Sequence, residues 1–136
     1  MLRKVDHIGV AVNSVENAAK FYREILGLPE QFRENVPQHK IKVVVFKVGE
    51  VNIELMEPTA IDSSIRTFLD KRGEGIHHIC YQVEDLQEIL SYLESRNVKL
   101  IESVPRIGVG GGRISFIHPK SAGGVLVELR EVGTES

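Results

Sequence analysis

The sequence predicts an α+β fold in which a strand-helix-three-strand unit is used twice, and three observations lead there. Residues 73–85 (Gly-Glu-Gly-Ile-His-His-Ile-Cys-Tyr-Gln-Val-Glu-Asp) repeat the pattern of residues 5–17 (Val-Asp-His-Ile-Gly-Val-Ala-Val-Asn-Ser-Val-Glu-Asn), with His7 and His78 71 residues apart. Each copy opens on alternating apolar positions and passes into apolar residues at helical spacing. The closing stretches Val51-Asn52-Ile53-Glu54-Leu55 and Val125-Leu126-Val127-Glu128-Leu129 match at an offset of 74, the extra residues being absorbed by a longer hairpin at 118–124. Two βαβββ modules related by a pseudo-twofold axis follow, at 1–57 and 74–131, with a linker at 58–73 carrying a short helix and a C-terminal tail at 132–136.

Residues 3–12 read as the first strand. Asn13 or Ser14 caps the next helix, whose apolar positions Val15, Ala18, Ala19, Tyr22, Ile25 and Leu26 run to a stop at Gly27. Leu28-Pro29 starts an extended segment to about Asn35, and Ile41–Val48 and Val51–Glu57 form a hairpin about Gly49-Glu50. In the linker, Asp62 or Ser63 caps a short helix bearing Ile65, Phe68 and Leu69. The second copy runs from a strand at 75–83 into a helix capped by Asp85, with Leu86, Ile89, Leu90 and Leu93 on one stripe. Val98–Val104 is extended, Gly108–Gly112 is a flexible rim, and strands at 113–117 and 125–131 close the module.

Composition excludes several classes. With 136 residues, 42% apolar and 26% charged, the chain is long enough to bury a core without staples. A net charge of −2 without basic runs argues against nucleic acid or an anionic membrane as partner. The single cysteine, Cys80, excludes an intrachain disulfide framework and fits a reducing compartment. No apolar run approaches a membrane span or signal core, so a cytoplasmic protein is expected.

Register brings four side chains to notice. Alternation sets Val5, His7, Gly9 and Ala11 on one face and Ile8, Val10 and Val12 on the other; in the second copy His78, not His77, shares the His7 face. Glu54 and Glu128 likewise oppose an apolar trio in their strands. One histidine or one glutamate in a strand is unremarkable, whereas the same pair at equivalent positions of a repeat is not. A carboxylate amid apolar residues costs free energy unless something positive compensates it. Two imidazoles and two carboxylates converging on the pseudo-twofold axis make a divalent metal site of mixed nitrogen and oxygen donors, which suits Co2+, Mn2+, Ni2+, Zn2+ or Fe2+ and does not choose among them.

The duplicated unit with His7, Glu54, His78 and Glu128 resembles the vicinal oxygen chelate superfamily, also called the glyoxalase and bleomycin-resistance fold. That resemblance implies a cupped mixed sheet around a divalent metal, with the helices on its outer face. Asp6-His7-Ile8-Gly9-Val10-Ala11-Val12, Pro105-Arg106-Ile107-Gly108 and the run from Phe116-Ile117-His118-Pro119-Lys120-Ser121 through Val127-Glu128-Leu129 resemble, within it, the methylmalonyl-CoA epimerase family. The implied reaction interconverts (2R)- and (2S)-methylmalonyl-CoA, by removal of a proton between a thioester and a carboxylate and passage through an enolate. A divalent cation stabilises such an enolate, and proton donors and acceptors are needed on its two faces. Some relatives use a glutamate on the third strand of the first module, but this chain has Val43, Val44 and Val45 there. The candidates for proton transfer are Glu128 as ligand and base, His39 and His118, with a metal-bound water as a fourth, and those for binding the acyl-CoA are Arg106, Arg113 and Lys120. Superfamily members are often dimers, so a homodimer is expected.

Two other readings use the same scaffold. A glyoxalase-type isomerase or extradiol-type dioxygenase is one, although a dioxygenase uses two histidines and one carboxylate, which leaves Glu54 in excess. A metal-free module that sequesters a small drug is the other; it calls for an aromatic-lined cleft, and this chain has no Trp and 6% aromatic residues.

Overall fold

The computed structural model describes residues 1–132; residues 133–136, where most of the expected tail falls, lie outside the described residues. The elements are β1 (Leu2–Ala11), α1 (Val15–Lys20), β2 (Glu30–Val36), β3 (Ile41–Val48), β4 (Val51–Pro58), α2 (Ser64–Arg72), β5 (Gly75–Val83), α3 (Leu86–Ser95), β6 (Arg106–Ile107), β7 (Arg113–Ile117) and β8 (Val127–Glu131). Strand, helix and three strands occur twice, with α2 between, as the repeat predicts. Contacts divide the chain into two units, one of His7–His77 and the other of Met1–Asp6 with the chain from His78 onward. The expected linker at 58–73 lies in the first of these.

In the unit of residues 7–77 the strand order is β2-β3-β4-β1. β2, β3 and β4 run antiparallel in turn, and β1 lies parallel to β4. The two-residue turn between β3 and β4 requires left-handed backbone, which Gly49 supplies at φ 60°. Ser14, not Asn13, caps α1: its hydroxyl accepts the Asn17 N–H at 3.2 Å. Glu57, at the end of β4, accepts the Val15 N–H at 2.8 Å. So anchored, α1 buries Val15 and Ala19 against Val12, Val44, Phe46 and Leu55.

Helical spacing misleads after Lys20. Phe21–Ile25 is a π turn in which the Leu26 N–H reaches back to the Phe21 carbonyl at 3.0 Å. The wider turn shifts the phase of the helix, so Ile25 and Leu26, expected in the core, stand 73% and 52% exposed. Tyr22 keeps its place, stacked on Phe46 with ring centroids 5.6 Å apart.

In the other unit the order is β1-β5-β8-β7-β6, with β5 parallel to β8 and β7 antiparallel to both β6 and β8. Asp85 caps α3 by accepting the Glu88 N–H at 3.0 Å, and Glu131 accepts the Leu86 N–H at 3.0 Å. Glu57 and Glu131 are 74 residues apart, the offset of the closing strands, so each module's last strand caps its own helix. Leu86, Ile89 and Leu90 then pack on Val83 and Leu129. The extended segment expected at 98–104 contracts to a single bridge between Leu100 and Ile117. Pro105 has no N–H to give a ladder, and β6 beyond it has two residues. β8 likewise starts at Val127 rather than 125, because Val125 still closes the preceding turn through its N–H to the Ala122 carbonyl.

Among the described residues no helix is long and apolar enough to cross a membrane.

Two substitutions test this packing. Leu90→Ala, at a side chain 1% exposed, is expected to lower unfolding free energy by about 2–5 kcal/mol in urea titrations. Ile25→Ala, at a position the helical spacing assigns to the core, is expected to cost no more than about 0.5 kcal/mol in the same titrations.

Candidate functional site

Each unit buries one imidazole beside one carboxylate, and the strand register explains how. On the parallel pair β1 and β4, Glu54 stands across from Gly9, two residues beyond His7 on the same face. On β5 and β8, Glu128 stands across from Cys80, two residues beyond His78. The histidine and glutamate are thus diagonal neighbours, with a small residue between them. His7 Nε2 lies 3.7 Å from a Glu54 oxygen, and His78 Nε2 lies 2.9 Å from a Glu128 oxygen. The second pair is within hydrogen-bond distance and the first is a looser approach.

Burial sets both pairs apart from surface ion pairs. His7, Glu54, His78 and Glu128 are 3%, 7%, 4% and 4% exposed. The apolar trios beside the glutamates face the helices, as alternation requires: Ile53 and Leu55 join the α1 cluster, Val127 and Leu129 the α3 cluster. His77 turns the other way from His78, its ring edge-on to Phe68 on α2 at 5.0 Å between centroids. His78 meets Phe116 of β7 edge-on, at 6.1 Å.

Asn52, directly across from His7 in the β1–β4 register, escaped the sequence reading. Its Oδ1 is buried with no hydrogen-bond partner among the described residues. A buried acceptor left unmatched is costly, so it marks a place where a donor or cation is accommodated. The signal was present in the sequence, two residues before Glu54 on the same face of the strand. Imidazole nitrogens, carboxylate oxygens and this orphan acceptor are a donor set that fits a divalent ion of intermediate hardness.

The other candidate residues are distributed as follows. His39 ends the 3-10 turn Pro37–His39 between β2 and β3. His118 opens the turn before β8, and its Nδ1 accepts the Lys120 N–H at 3.0 Å, which commits that nitrogen to the loop. Arg106 is paired with Glu102 through Nε at 2.7 Å and lies over the Phe116 ring, 5.9 Å from its centroid. Arg113 is paired with Glu131 at 3.1 Å. Lys120 is exposed on the turn Pro119–Ser121. On β3, Val45 stands across from Glu54 and Val43 across from Met56, so this strand offers no carboxylate beside the pair.

Comparison with known proteins places this geometry in context. Residues 6–116 match the model of the Glyoxalase/Bleomycin resistance protein/Dioxygenase superfamily. The uncharacterized protein YqjC of Bacillus subtilis is 43% identical over 130 residues, covering 96% of this chain and 93% of that one. An ethylmalonyl-CoA/methylmalonyl-CoA epimerase of Cereibacter sphaeroides is 37% identical over 134 residues, covering 97% of this chain and all of its own length, 100%. Among solved structures, the methylmalonyl-CoA epimerase of Mycobacterium tuberculosis superposes with a TM-score of 0.92 at 37% identity, over 98% of this chain and 91% of that one. A methylmalonyl-CoA epimerase in complex with methylmalonyl-CoA and NH4+ gives 0.92 at 31% identity, over 98% and 97%.

The His78–Glu128 pair can be tested without any ligand. With EDTA present, His78→Ala is expected to destabilise the protein by about 3–5 kcal/mol, since it strands a buried carboxylate. The double substitution His78→Leu with Glu128→Leu is expected to recover most of that loss in a double-mutant cycle followed by urea unfolding.

Proposed function

We propose, from the premise that the chain belongs to the Glyoxalase/Bleomycin resistance protein/Dioxygenase superfamily, that it is a metal-dependent epimerase interconverting (2R)- and (2S)-methylmalonyl-CoA. The observation that carries this reading is the buried His/Glu pair repeated in the two units. His7, Glu54, His78 and Glu128 together hold one divalent cation, with Co2+ taken first and Mn2+, Ni2+ and Zn2+ as alternatives. The charge count agrees: two carboxylates and two neutral imidazoles carry −2, which one such ion cancels, relieving the cost of burying the acids. Bound there, the cation supplies Lewis-acid stabilisation of negative charge growing on the thioester oxygen.

The remaining work falls to the chain's own residues. Glu128 takes the C2 proton at a carboxylate oxygen, leaving an enolate planar at C2. Return of a proton to the opposite face requires a second group. Outside the two pairs, His77 packs on Phe68, which leaves His39 and His118 for this step. His118 has only Nε2 for it, since Nδ1 holds the Lys120 amide. Lys120, exposed on the same turn, and the ion-paired Arg106 and Arg113 stand as contacts for the CoA portion. The chain acts as a homodimer in the cytoplasm in this reading, and the free edge of β2 is a surface that a second copy could use.

Proton NMR in deuterium oxide tests the reaction. With Co2+ added, the C2 proton signal of methylmalonyl-CoA is expected to disappear at a catalysed rate; a rate equal to the protein-free control would reject the epimerase assignment. Glu54→Ala is expected to weaken metal binding at least about 100-fold by equilibrium dialysis, with exchange falling in parallel.

A further inference from the structure

Beneath the glycine-rich loop lies an arginine that the reaction outlined above does not use. Arg130 follows Glu128 by two residues on β8 and so leaves the same face of the strand, away from Leu129 and Glu131 on the α3 side. Its register partners are Gln82 on β5 and Ile114 on β7. The loop closes over the guanidinium. A β-carbon at Gly112 would lie 2.9 Å from Arg130 Cζ and Nη2, one at Gly110 3.2 Å from Nη2, and one at Gly108 3.3 Å from Nη1 and 2.8 Å from Ile114 Cγ2. Glycine spares a β-carbon at each of these close approaches, and Gly110 also adopts φ 83°. The Gly108 N–H to Gly112 carbonyl bond, at 2.8 Å, pins the two ends of the loop together.

Charge is treated differently here than at the neighbouring arginines. Arg106 is matched by Glu102 and Arg113 by Glu131, whereas the Arg130 guanidinium has no hydrogen bond or ion pair among the described residues. The side chain is half-buried, so water reaches it incompletely. A half-buried guanidinium with its fork of donors unspent can receive an oxyanion in bidentate fashion.

We infer that Arg130 binds the free carboxylate of the 2-carboxyacyl group, and that through it the site selects such thioesters over simple acyl-CoA. This deepens the epimerase reading and rests on it. Positions 128 and 130 are separated by about 7 Å along one face of the strand, a spacing that the long arginine side chain can bridge toward a carboxylate bonded to a C2 beside Glu128. The CoA phosphates lie at the far end of the pantetheine arm from C2, which makes the acyl carboxylate the anion within reach. A site built to hydrogen-bond one substrate group rejects an analogue lacking it far more strongly than shape alone would.

Methylmalonyl-CoA and propionyl-CoA differ by that carboxylate alone, so their binding to the Co2+-loaded full chain, by calorimetry, is the test. Arg130→Gln is expected to raise Kd and KM for methylmalonyl-CoA about 10–100-fold and to leave propionyl-CoA within about twofold. Arg130→Lys, which keeps the charge and fills the same space, is expected to restore part of the loss and decides the matter should the glutamine variant fail to fold. Equal weakening for both ligands would assign Arg130 to the CoA portion, and no weakening for either would make it a loop anchor; each result overturns the inference. Wild-type protein that exchanges the C2 proton, together with substitutions that weaken both ligands equally or neither, would defeat this inference alone. Wild-type protein that does not exchange it would defeat the epimerase reading.

Discussion

Two acidic side chains buried inside β-strands are the constraint around which this molecule is built. In each unit the strand carrying the acid also supplies apolar residues to the helix-covered layer, so alternation forces the carboxylate to the opposite face. There it is not solvated: Glu54 and Glu128 are nearly as inaccessible as Leu55 and Leu129 beside them. An imidazole placed diagonally on the parallel neighbour is what each unit provides in compensation. A chain selected for stability alone would place leucine at these positions, so the two buried acids are a cost that the packing does not explain.

In each unit a second acid ties the helix to the strand that carries the buried one. Glu57 and Glu131 reach from the closing strands to the first N–H of α1 and α3, tying each helix to the strand that carries the buried acid. Unlike the buried acids, these two are hydrogen-bonded to helix ends, where a negative charge is favoured by the unpaired N–H groups. Each glutamate three residues after a site glutamate therefore has a structural task. The duplication has copied the scaffold together with the pair it supports.

The second unit carries its own elaboration. Its longer loops hold several arginines, and the structure separates them by what they face: Glu102 for Arg106, Glu131 for Arg113, and a wrap of glycine backbone for Arg130. Arg106 shares that face with its charge matched by Glu102, while the Arg130 guanidinium, two residues from Glu128, has no acidic partner among the described residues. The glycine-rich segment is less a loose rim than a closed turn shaped around a side chain from the next strand but one.

Much of the fold was legible because two periods rarely mislead over a whole module. Alternation in residues 5–12 and 75–83 fixed which histidine of the His77-His78 dipeptide shares a face with the acid, and repetition at two offsets picked out His7, Glu54, His78 and Glu128 before any coordinates. Where a residue's fate depends on hydrogen bonds formed with distant segments, the sequence was silent or wrong. Ile25 and Leu26 fit a helical stripe until a π turn rotated them into solvent; the strand expected at 98–104 contracts to the Leu100–Ile117 bridge beside β7. Asn52 and Arg130 carry no pattern of their own, since an orphan acceptor or an unmatched guanidinium is defined by what its neighbours fail to supply. Periodicity is a property of the chain, and the sequence by itself determined the modules and the two His/Glu pairs. Satisfaction of polar groups is a property of packing, and only the tertiary structure decided that Arg130 kept its donors unspent beneath the glycine-rich loop.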